Sequence, residues 1–353
     1  MMTLRVFGRN PPDVPMSTAW SLADLAEAKG RQELFTRQSP QRLKALREHA
    51  IIESADSSNR IEGVEIDASR VRAVVLGGPG PRDRNEEEVR GYRDALALVH
   101  ESSTRLTVSE ETIVELHRLS RGQIGDAGQY KQKDVDILET YPDGRSRVRF
   151  KAVPAECTPA AMRELISRWN DAIDERRLHP LLAVTAFNLD FLCIHPFRDG
   201  NGRVSRLLLL LQCYHLGFEV GRYISIERII EQNKDRYYET LEQSSKDWHD
   251  GRHDPWPYLN YLLYIFKSAY KEFEDRFGRI KAPRGEKSEV IVRAVNRFAG
   301  EFSVADLQRE CPGVSVDMIR HVLKDLRRKG EVECLGLGRS ARWRGTREMG
   351  NSK

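Results

Sequence analysis

The segment from His195 to Arg206, HPFRDGNGRVSR, concentrates residue types that can act on a phosphate. Gly200 and Gly202 flank Asn201, and the segment leads into an apolar run, Leu207 to Leu211. This pattern predicts a tight turn that opens into a helix. Backbone N–H groups at a helix N-terminus have no partner within the helix and lie at the positive end of its dipole. The turn therefore predicts an anion-binding nest that suits a phosphate.

Four charged or titratable side chains surround this turn. Arg203 and Arg206 fall three apart in the first turns of the helix, so they share one face and can grip further phosphates by charge-assisted bonds. Asp199 offers a hard oxygen ligand, which suits Mg²⁺ held largely by substrate phosphates. His195 ends an apolar segment and can take a proton from an attacking hydroxyl near neutral pH. Together they predict a phosphoryl- or nucleotidyl-transfer site.

Each feature alone also has a purely structural explanation. A histidine after an apolar helix is more often a core or cap residue, and an isolated GNG is more often a turn. Pro196 and Phe197 are expected to anchor the loop in the core. The combination in fixed register over one short segment is hard to explain as packing.

The segment matches every fixed position of H-x-F-x-[D/E]-G-N-G-R-x-x-R and therefore resembles the Fic family. The resemblance implies a small helical bundle that moves AMP from ATP onto a Ser, Thr or Tyr hydroxyl of a protein and releases pyrophosphate. It implies His195 as the general base and Asp199 as the Mg²⁺ ligand. It assigns phosphate binding to the turn and the helix start, namely Gly200, Asn201, Gly202, Arg203 and Arg206.

A second motif lies upstream, where Ser58 and Glu62 stand four apart on one predicted helix face and Gly63 follows as a stop signal. On spacing alone, the segment fits a frayed helix end with a solvated glutamate. SNRIEG also resembles the inhibitory [S/T]-x-x-x-E-[G/N] motif found N-terminal to many Fic cores. The resemblance implies that Glu62 pairs with Arg206, removes one clamp and repels the γ-phosphate, which leaves ATP in a pose unsuited to in-line attack.

The helical pattern weakens between residues 128 and 154. Val135 to Leu138 and Arg147 to Phe150 have strand-like patterns separated by the turn signal YPDGRS, which predicts a hairpin. A surface ornament is the alternative, whereas in the Fic family a hairpin flap lies here and aligns the target by main-chain pairing. Gly128, Tyr130 and Lys131 resemble the family's lead-in G-x-[Y/F]-R, with Lys in place of Arg.

Tyr237 and Tyr238 lie in a predicted helix, Lys234 to Ser245. Paired tyrosines in a helix are more often core residues than ligand contacts. Similar pairs in the Fic family lie beside the adenine, so the resemblance makes both tyrosines candidates for nucleotide binding.

The composition is that of a globular protein: 353 residues, 40% hydrophobic and 31% charged, enough for two or three domains. No apolar run approaches the roughly 20 residues that span a bilayer, and no signal peptide is evident. We therefore expect a cytoplasmic protein without a membrane partner. The five cysteines are widely spaced and include no C-x-x-C pair, which predicts reduced thiols.

The C-terminal part is more basic than the rest of the chain. From Arg279 to the end there are 17 Lys and Arg against 10 Asp and Glu, while the whole chain carries +4. Three predicted helices are followed by two short strand patterns, an order that resembles a winged helix-turn-helix. The resemblance implies that the third helix, Val316 to Lys329, enters the DNA major groove and that the wing meets phosphates. The DNA-binding candidates are Arg320, Lys324, Arg327, Arg339 and Arg342. Protein docking and a simply solvated basic helix are the alternatives.

The sequence thus predicts a mostly α protein, with a Fic helical core that carries a β-hairpin flap and a C-terminal winged helix-turn-helix domain. Residues up to about Met16 are expected to form an irregular lead-in. The predicted regions are an N-terminal helical region with the inhibitory helix (1–100), the Fic core (101–278), a linker (279–287) and the winged helix (288–345).

The expected activity is Mg²⁺- and ATP-dependent adenylylation of protein hydroxyls, including those of the protein itself, with Glu62 as an autoinhibitor. Transfer of another nucleotide or phosphate group is one alternative. A DNA-binding transcriptional regulator with a nucleotide-sensing Fic core is another. The expected partners are a target protein and double-stranded DNA, and the oligomeric state is open, a homodimer included.

Overall fold

The computed structural model describes residues 2–38, 40–78, 80–122, 125–140, 145–279, 286–298, 300–311, 314–336 and 341–346. The chain divides into two compact units, Met1–Lys29 with Ala45–Glu274 and Gly30–Lys44 with Asp275–Lys353. Helices dominate, which confirms the predicted mostly α class, while the predicted domain boundaries stay predictions. The five cysteines are free thiols. Within the described ranges, every helix is too short or too polar to cross a membrane.

In residues 2–279, the described part of the chain contains twelve α-helices and one pair of strands. The strands are β1 (Asp136–Thr140) and β2 (Ser146–Lys151). The helices are α1 (Thr3–Arg9), α2 (Met16–Gln38), α3 (Pro40–Ile61), α4 (Ala68–Leu76), α5 (Arg84–Ser102), α6 (Glu110–Arg121), α7 (Thr158–Glu175), α8 (Pro180–Ile194), α9 (Asn201–His215), α10 (Ile226–Gln232), α11 (Lys234–Ser245) and α12 (Trp256–Arg279).

The prediction of an irregular lead-in up to Met16 is wrong, because Thr3–Arg9 forms α1. The carboxylate of Asp190 on α8 accepts the N–H groups of Thr3 (2.7 Å) and Leu4 (2.9 Å). These two groups belong to the first turn of α1, where the helix itself supplies no acceptor. Leu4 and Phe7 are buried, and α1 packs on α7 and α8. The capping residue, Asp190, is distant in sequence, so no local sequence pattern predicts this helix.

Helices α8 and α9 form the buried centre of the larger unit. Every residue from Leu181 to Ile194 is buried, as expected for a helix that is apolar on all sides. Asn188 locks the two helices together: its Nδ2 donates to the carbonyl of Ser205 at 2.9 Å, and its Oδ1 accepts the hydroxyl of Tyr258 at 2.7 Å. This contact fixes the loop that joins α8 to α9, where residues 195–200 lie.

The predicted hairpin is confirmed, with β1 antiparallel to β2. Asp136 pairs with Lys151, and the register shifts at a bulge between Ile137 and Leu138. Leu138 and Val148 are exposed apolar residues of this hairpin. The predicted turn residues Pro142, Asp143 and Gly144 lie outside the described residues.

The C-terminal unit contains α13 (Glu286–Val295), β3 (Phe302–Ser303), α14 (Val304–Glu310), α15 (Val316–Arg328), β4 (Val332–Cys334) and β5 (Arg342–Gly345). The strands form an antiparallel sheet in the order β3-β5-β4. Its core includes Ile291, Phe302, Leu307, Leu323 and Trp343. These are elements that a winged helix-turn-helix requires, and the assignment to that family stays a prediction. Two predicted segments lie mostly outside the described residues: the linker, of which 280–285 are not described, and the wing tip with Arg339.

Asp190→Ala should lower the free energy of unfolding by about 3 kcal/mol, because the N–H groups of Thr3 and Leu4 and the indole N–H of Trp248 would lose their acceptor. Urea titration followed by tryptophan fluorescence measures the change. Asp171→Ala, which removes a half-exposed carboxylate on α7, is the control. Equal midpoints for the two variants would contradict the capping role.

Candidate active site

His195 lies where α8 ends, in a backbone conformation that few non-glycine residues adopt. Its φ is 52°, and its N–H donates to the carbonyl of Phe191 at 2.9 Å. Lys131 holds this turn, since its Nζ donates to the carbonyls of Ile194 (3.0 Å) and His195 (2.9 Å). The N–H of Lys131 also donates to the carbonyl of Pro196 at 2.9 Å. Lys131, where the resembling motif has Arg, therefore anchors the turn that orients the imidazole.

The loop after His195 is closed by the side chain of Asn201. Its Nδ2 donates to the carbonyl of Phe197 at 2.8 Å, and its Oδ1 accepts the N–H of Phe197 at 2.9 Å. Phe197 is fully buried and stacks on the ring of His117, with 3.7 Å between centroids. His117 Nε2 lies 3.0 Å from the carbonyl oxygen of Asp199. The Asn201 side chain therefore shapes the turn, and an anion would meet the backbone amides.

The start of α9 is the predicted anion nest, and a carboxylate lies over it. Gly200 has a φ of 82°, and its N–H donates to Asp199 Oδ1 at 2.6 Å, so this amide is already used. The next amides, those of Asn201 and Gly202, have no acceptor within the helix. A Cβ at Gly202 would lie 2.1 Å from Glu62 Oε1. The Glu62 carboxylate thus occupies the space over the helix N-terminus where an anion would bind.

Arg206 binds the same carboxylate. Its Nη2 lies 2.9 Å from Glu62 Oε1 and also donates to the carbonyl of Ser58 at 2.9 Å, while its Nε donates to Ser58 Oγ at 2.9 Å. Arg206 is buried, and Glu62 is the first residue after α3, in a turn that Gly63 completes with a φ of 81°. The structure brings together the three residues of the resembling inhibitory motif and the second arginine.

Arg203 takes part in a second network of charges. Its Nη1 is 2.5 Å from Glu88 Oε2 and donates to Asn59 Oδ1 at 3.3 Å. Its Nη2 is 3.8 Å from Asp199 Oδ1. Arg121 extends the network, because its Nη1 is 2.7 Å from Asp199 Oδ2 and 3.5 Å from Glu88 Oε1. Glu88 and Arg121 thus connect the first arginine to the candidate metal ligand.

Sequence reasoning missed Glu88, Arg121 and Asn59. Glu88 stands in an acidic run that resembles a solvated helix start, but Tyr92 and Leu96 follow it at spacings of four and are fully buried. A charged residue on the apolar face of a helix is the signal that could have identified Glu88. Arg121 is the last residue of α6, and Asn59 lies within the upstream SNRIEG segment, so neither position gives such a signal.

Among the described residues, three guanidinium nitrogens of this region are buried without a hydrogen-bond partner: Arg121 Nε, Arg203 Nε and Arg206 Nη1. Buried polar atoms are nearly always paired, so unpaired ones in a site point to a ligand. Guanidinium nitrogens only donate, which suits the acceptor oxygens of a phosphate. The region therefore fits an anionic ligand with several oxygens.

Comparison with known proteins assigns the family of this region. Residues 107–213 match the Fic/DOC family. The chain contains a Fic domain. Among curated relatives, the protein adenylyltransferase Fic of Nematostella vectensis is 30% identical over 202 residues, which cover 53% of this chain and 42% of that protein. The protein adenylyltransferase fic-1 of Caenorhabditis elegans is 27% identical over 161 residues, which cover 45% of this chain and 30% of that protein. The chain spans less than half the length of these relatives.

Solved structures share the fold of the chain. A Fic family protein from Desulfovibrio desulfuricans G20 has a TM-score of 0.62 and 23% identity, with 97% of this chain and 99% of that chain covered. Fic-1 from Caenorhabditis elegans has a TM-score of 0.57 and 22% identity, with 77% and 76% covered. The predicted Fic fold is therefore confirmed.

A cavity of about 660 Å³, a volume typical of small-molecule sites, lies beside the motif. Its lining includes His195, Gly202, Glu62, Tyr237 and Tyr238. The cavity thus brings the imidazole, the helix start and both candidate tyrosines to one space.

The two tyrosines have different environments. Tyr237 is buried and packs against the rings of Tyr238 and Tyr258, so most of its surface belongs to the core. The hydroxyl of Tyr238 donates to the carbonyl of Ile61 at 3.3 Å, and the Arg149 guanidinium lies 5.3 Å from its ring centroid. Tyr238 therefore links α11 to the end of α3 and to the hairpin.

Asp199 is the candidate Mg²⁺ ligand of the Fic domain. Its side chain is half exposed, and although burial would raise the pKa of its carboxyl, Arg121 and Arg203 outweigh this effect and lower it. The described residues contain no cluster of three potential metal ligands. Mg²⁺ bound mainly by substrate phosphates needs only one or two protein carboxylates, so this single ionised carboxylate fits such an ion.

His195 should titrate near pH 4, because burial and the positive charge of Lys131 lower its pKa from 6.5. The imidazole is then neutral from about pH 5 upward and able to accept a proton. NMR titration of the His195 ring resonances measures the midpoint. Lys131→Met removes the neighbouring charge and should raise the midpoint. A midpoint near 6.5 in the unmodified protein would contradict this environment.

Proposed function

We propose that this protein is a protein adenylyltransferase that transfers AMP from ATP to Ser, Thr or Tyr hydroxyls of a protein, itself included. The proposal rests chiefly on the unpaired buried donors of Arg203 and Arg206 beside a neutral imidazole at a helix N-terminus. The similarity to curated relatives that are named protein adenylyltransferases supports it.

In the proposed reaction, the acceptor oxygen forms a bond to the α-phosphorus while the bond from that phosphorus to the bridging oxygen of pyrophosphate breaks. His195 takes the hydroxyl proton. Arg203, Arg206 and the α9 amides bind the outer phosphates and stabilise the charge of the departing pyrophosphate. Asp199 would hold Mg²⁺, which supplies further neutralisation of phosphate charge. The hairpin would present the acceptor segment by main-chain pairing, as the family resemblance implies.

Glu62 acts as the brake in this proposal. Its carboxylate binds Arg206 and lies over Gly202. It therefore occupies a phosphate-binding arginine and the anion nest at the same time. A carboxylate there also repels a γ-phosphate. ATP can then bind only in a pose that keeps its outer phosphates away from the nest, and the α-phosphorus is misaligned for attack.

Glu62→Gly should raise self-modification with labelled ATP by about tenfold or more, since one ion pair and one steric block are removed together. Intact-mass spectrometry measures the gain of AMP. His195→Ala in the same background is the blank, and Glu65→Gly, three residues further on at an exposed position, is the matched control. Unchanged labelling in Glu62→Gly would refute the brake. In parallel incubations with UTP, GTP or ATP, a mass gain of UMP, GMP or phosphate instead of AMP would favour the other transfer reactions.

We also propose that the C-terminal unit binds double-stranded DNA. Helix α15 buries Ile319 and Leu323, while Arg320, Lys324 and Arg327 are exposed. Arg342 on β5 is exposed as well. This one-sided basic face suits a phosphate backbone, although Asp317, 3.5 Å from Arg320, offsets part of the charge. A nucleotide-sensing DNA-binding regulator would use the same face.

Electrophoretic mobility shifts should then weaken as salt rises, because binding releases counterions. Lys324→Ala and Arg327→Ala should each reduce the slope of log affinity against log salt by about 1. Arg309→Ala, at an exposed position on α14, is the control. No shift, or one that does not depend on salt, would contradict DNA binding.

A further inference from the structure

Each of the two motif arginines has one carboxylate within 2.9 Å, and these two carboxylates lie in different surroundings. Arg203 also lies 3.8 Å from Asp199. Glu62 is bound to Arg206, and its side chain is 26% exposed. Glu88 is bound to Arg203, and its side chain is 4% exposed. The proposed brake explains the Glu62–Arg206 pair but not the Glu88–Arg203 pair.

Glu62 lies in the anion site, whereas Glu88 lies outside it. Glu62 is part of the cavity wall and covers Gly202, so it competes with a phosphate for the same space. Glu88 is not among the nearest neighbours of Gly202 and projects from α5, where Arg84 Nε (3.0 Å) and Arg121 Nη1 (3.5 Å) also contact its Oε1. A phosphate in the nest therefore need not displace Glu88.

The position of Glu88 determines which atoms of Arg203 remain available. The pair uses Nη1 of Arg203 at 2.5 Å, while its Nε is buried and unpaired. An arginine side chain has many rotamers, and a charge-assisted contact to one nitrogen restricts the direction of the others. Without Glu88, the buried cations of Arg203 and Arg121 would share only the half-exposed carboxylate of Asp199 and would repel each other more strongly.

We propose that Glu88 is a positioning residue for the outer phosphates of the nucleotide. It fixes the guanidinium of Arg203 toward the anion site and, through Arg121, supports the carboxylate of Asp199. This inference rests on the proposed function, since it requires a polyphosphate in the nest. The two carboxylates then have opposite effects: loss of Glu62 favours nucleotide binding and transfer, and loss of Glu88 opposes them.

The test compares the affinities for ATP and for AMP in variants from which Glu62 has been removed. Glu62→Gly and Glu62→Gly/Glu88→Gln, each also carrying His195→Ala so that no AMP is transferred, are titrated with each nucleotide and Mg²⁺ by calorimetry. Glu88→Gln keeps the size of the side chain and removes its charge. The Kd for ATP should rise about tenfold, the value of one well-placed charge-assisted contact, while the Kd for AMP, which lacks the outer phosphates, should change less than about twofold.

Glu86→Gln in the same background is the matched control. Glu86 lies on the same helix, is equally buried and accepts two bonds from Arg70, each at 2.8 Å. Its loss removes a buried ion pair of the same kind away from the anion site, so it should lower the melting temperature and leave the ratio of the two Kd values unchanged. A purely structural role for Glu88 would give the same pattern as Glu86.

A parallel rise of both Kd values, no rise, or tighter ATP binding in the Glu88→Gln variant would overturn the proposal. If that variant does not fold, Arg203→Lys replaces it, because an ammonium group cannot hold Glu88 and a phosphate in the geometry of a guanidinium and should give the same ATP-specific loss. Equal loss for ATP and AMP in that variant would also overturn it. Binding is measured apart from transfer, so failure of Glu62→Gly to label any protein would count against the proposed activity alone.

Discussion

Two buried guanidinium groups at the start of one helix impose the constraint on which the rest of the Fic domain depends. Arg203 and Arg206 lie in the first two turns of α9, at the positive end of its dipole, and both are almost fully buried. An uncompensated buried charge costs several kcal/mol, and here two occur together. The fold has to supply anions from other elements, and it does so with Glu62 after α3 and Glu88 on α5.

The loop that precedes α9 is rigid for a related reason. His195 adopts a left-handed backbone conformation, which is maintained because Lys131 binds the carbonyls on either side of the turn. Asn201 and Phe197 then close the loop against His117. The imidazole and the helix amides are consequently held in fixed relation before any ligand arrives, which is the condition for electrostatic preorganisation.

The features that could be predicted from the sequence are those that depend on residues close together in the chain. The motif loop, the hairpin and the end of α3 at Gly63 all follow from local turn chemistry and spacing, so they could be identified without a structure. Helix α1 could not, because its cap is Asp190, far along the chain. The partners of Arg203 could not either, since ion pairs between helices depend on packing that a sequence pattern does not reveal.

Gly202 determines how much space lies over the start of α9. Its missing Cβ leaves the space that the Glu62 carboxylate now fills, and a phosphate would need the same space. A side chain at position 202 would lie 2.1 Å from Glu62 Oε1, so the carboxylate would have to move and the space over the helix start would shrink. Under the proposed function, that loss of space would hinder a phosphate as much as the carboxylate, whereas a smaller residue at position 62 would enlarge the space. The proposal therefore assigns opposite evolutionary constraints to the two positions: variation at 202 would disable the site, and variation at 62 would release it.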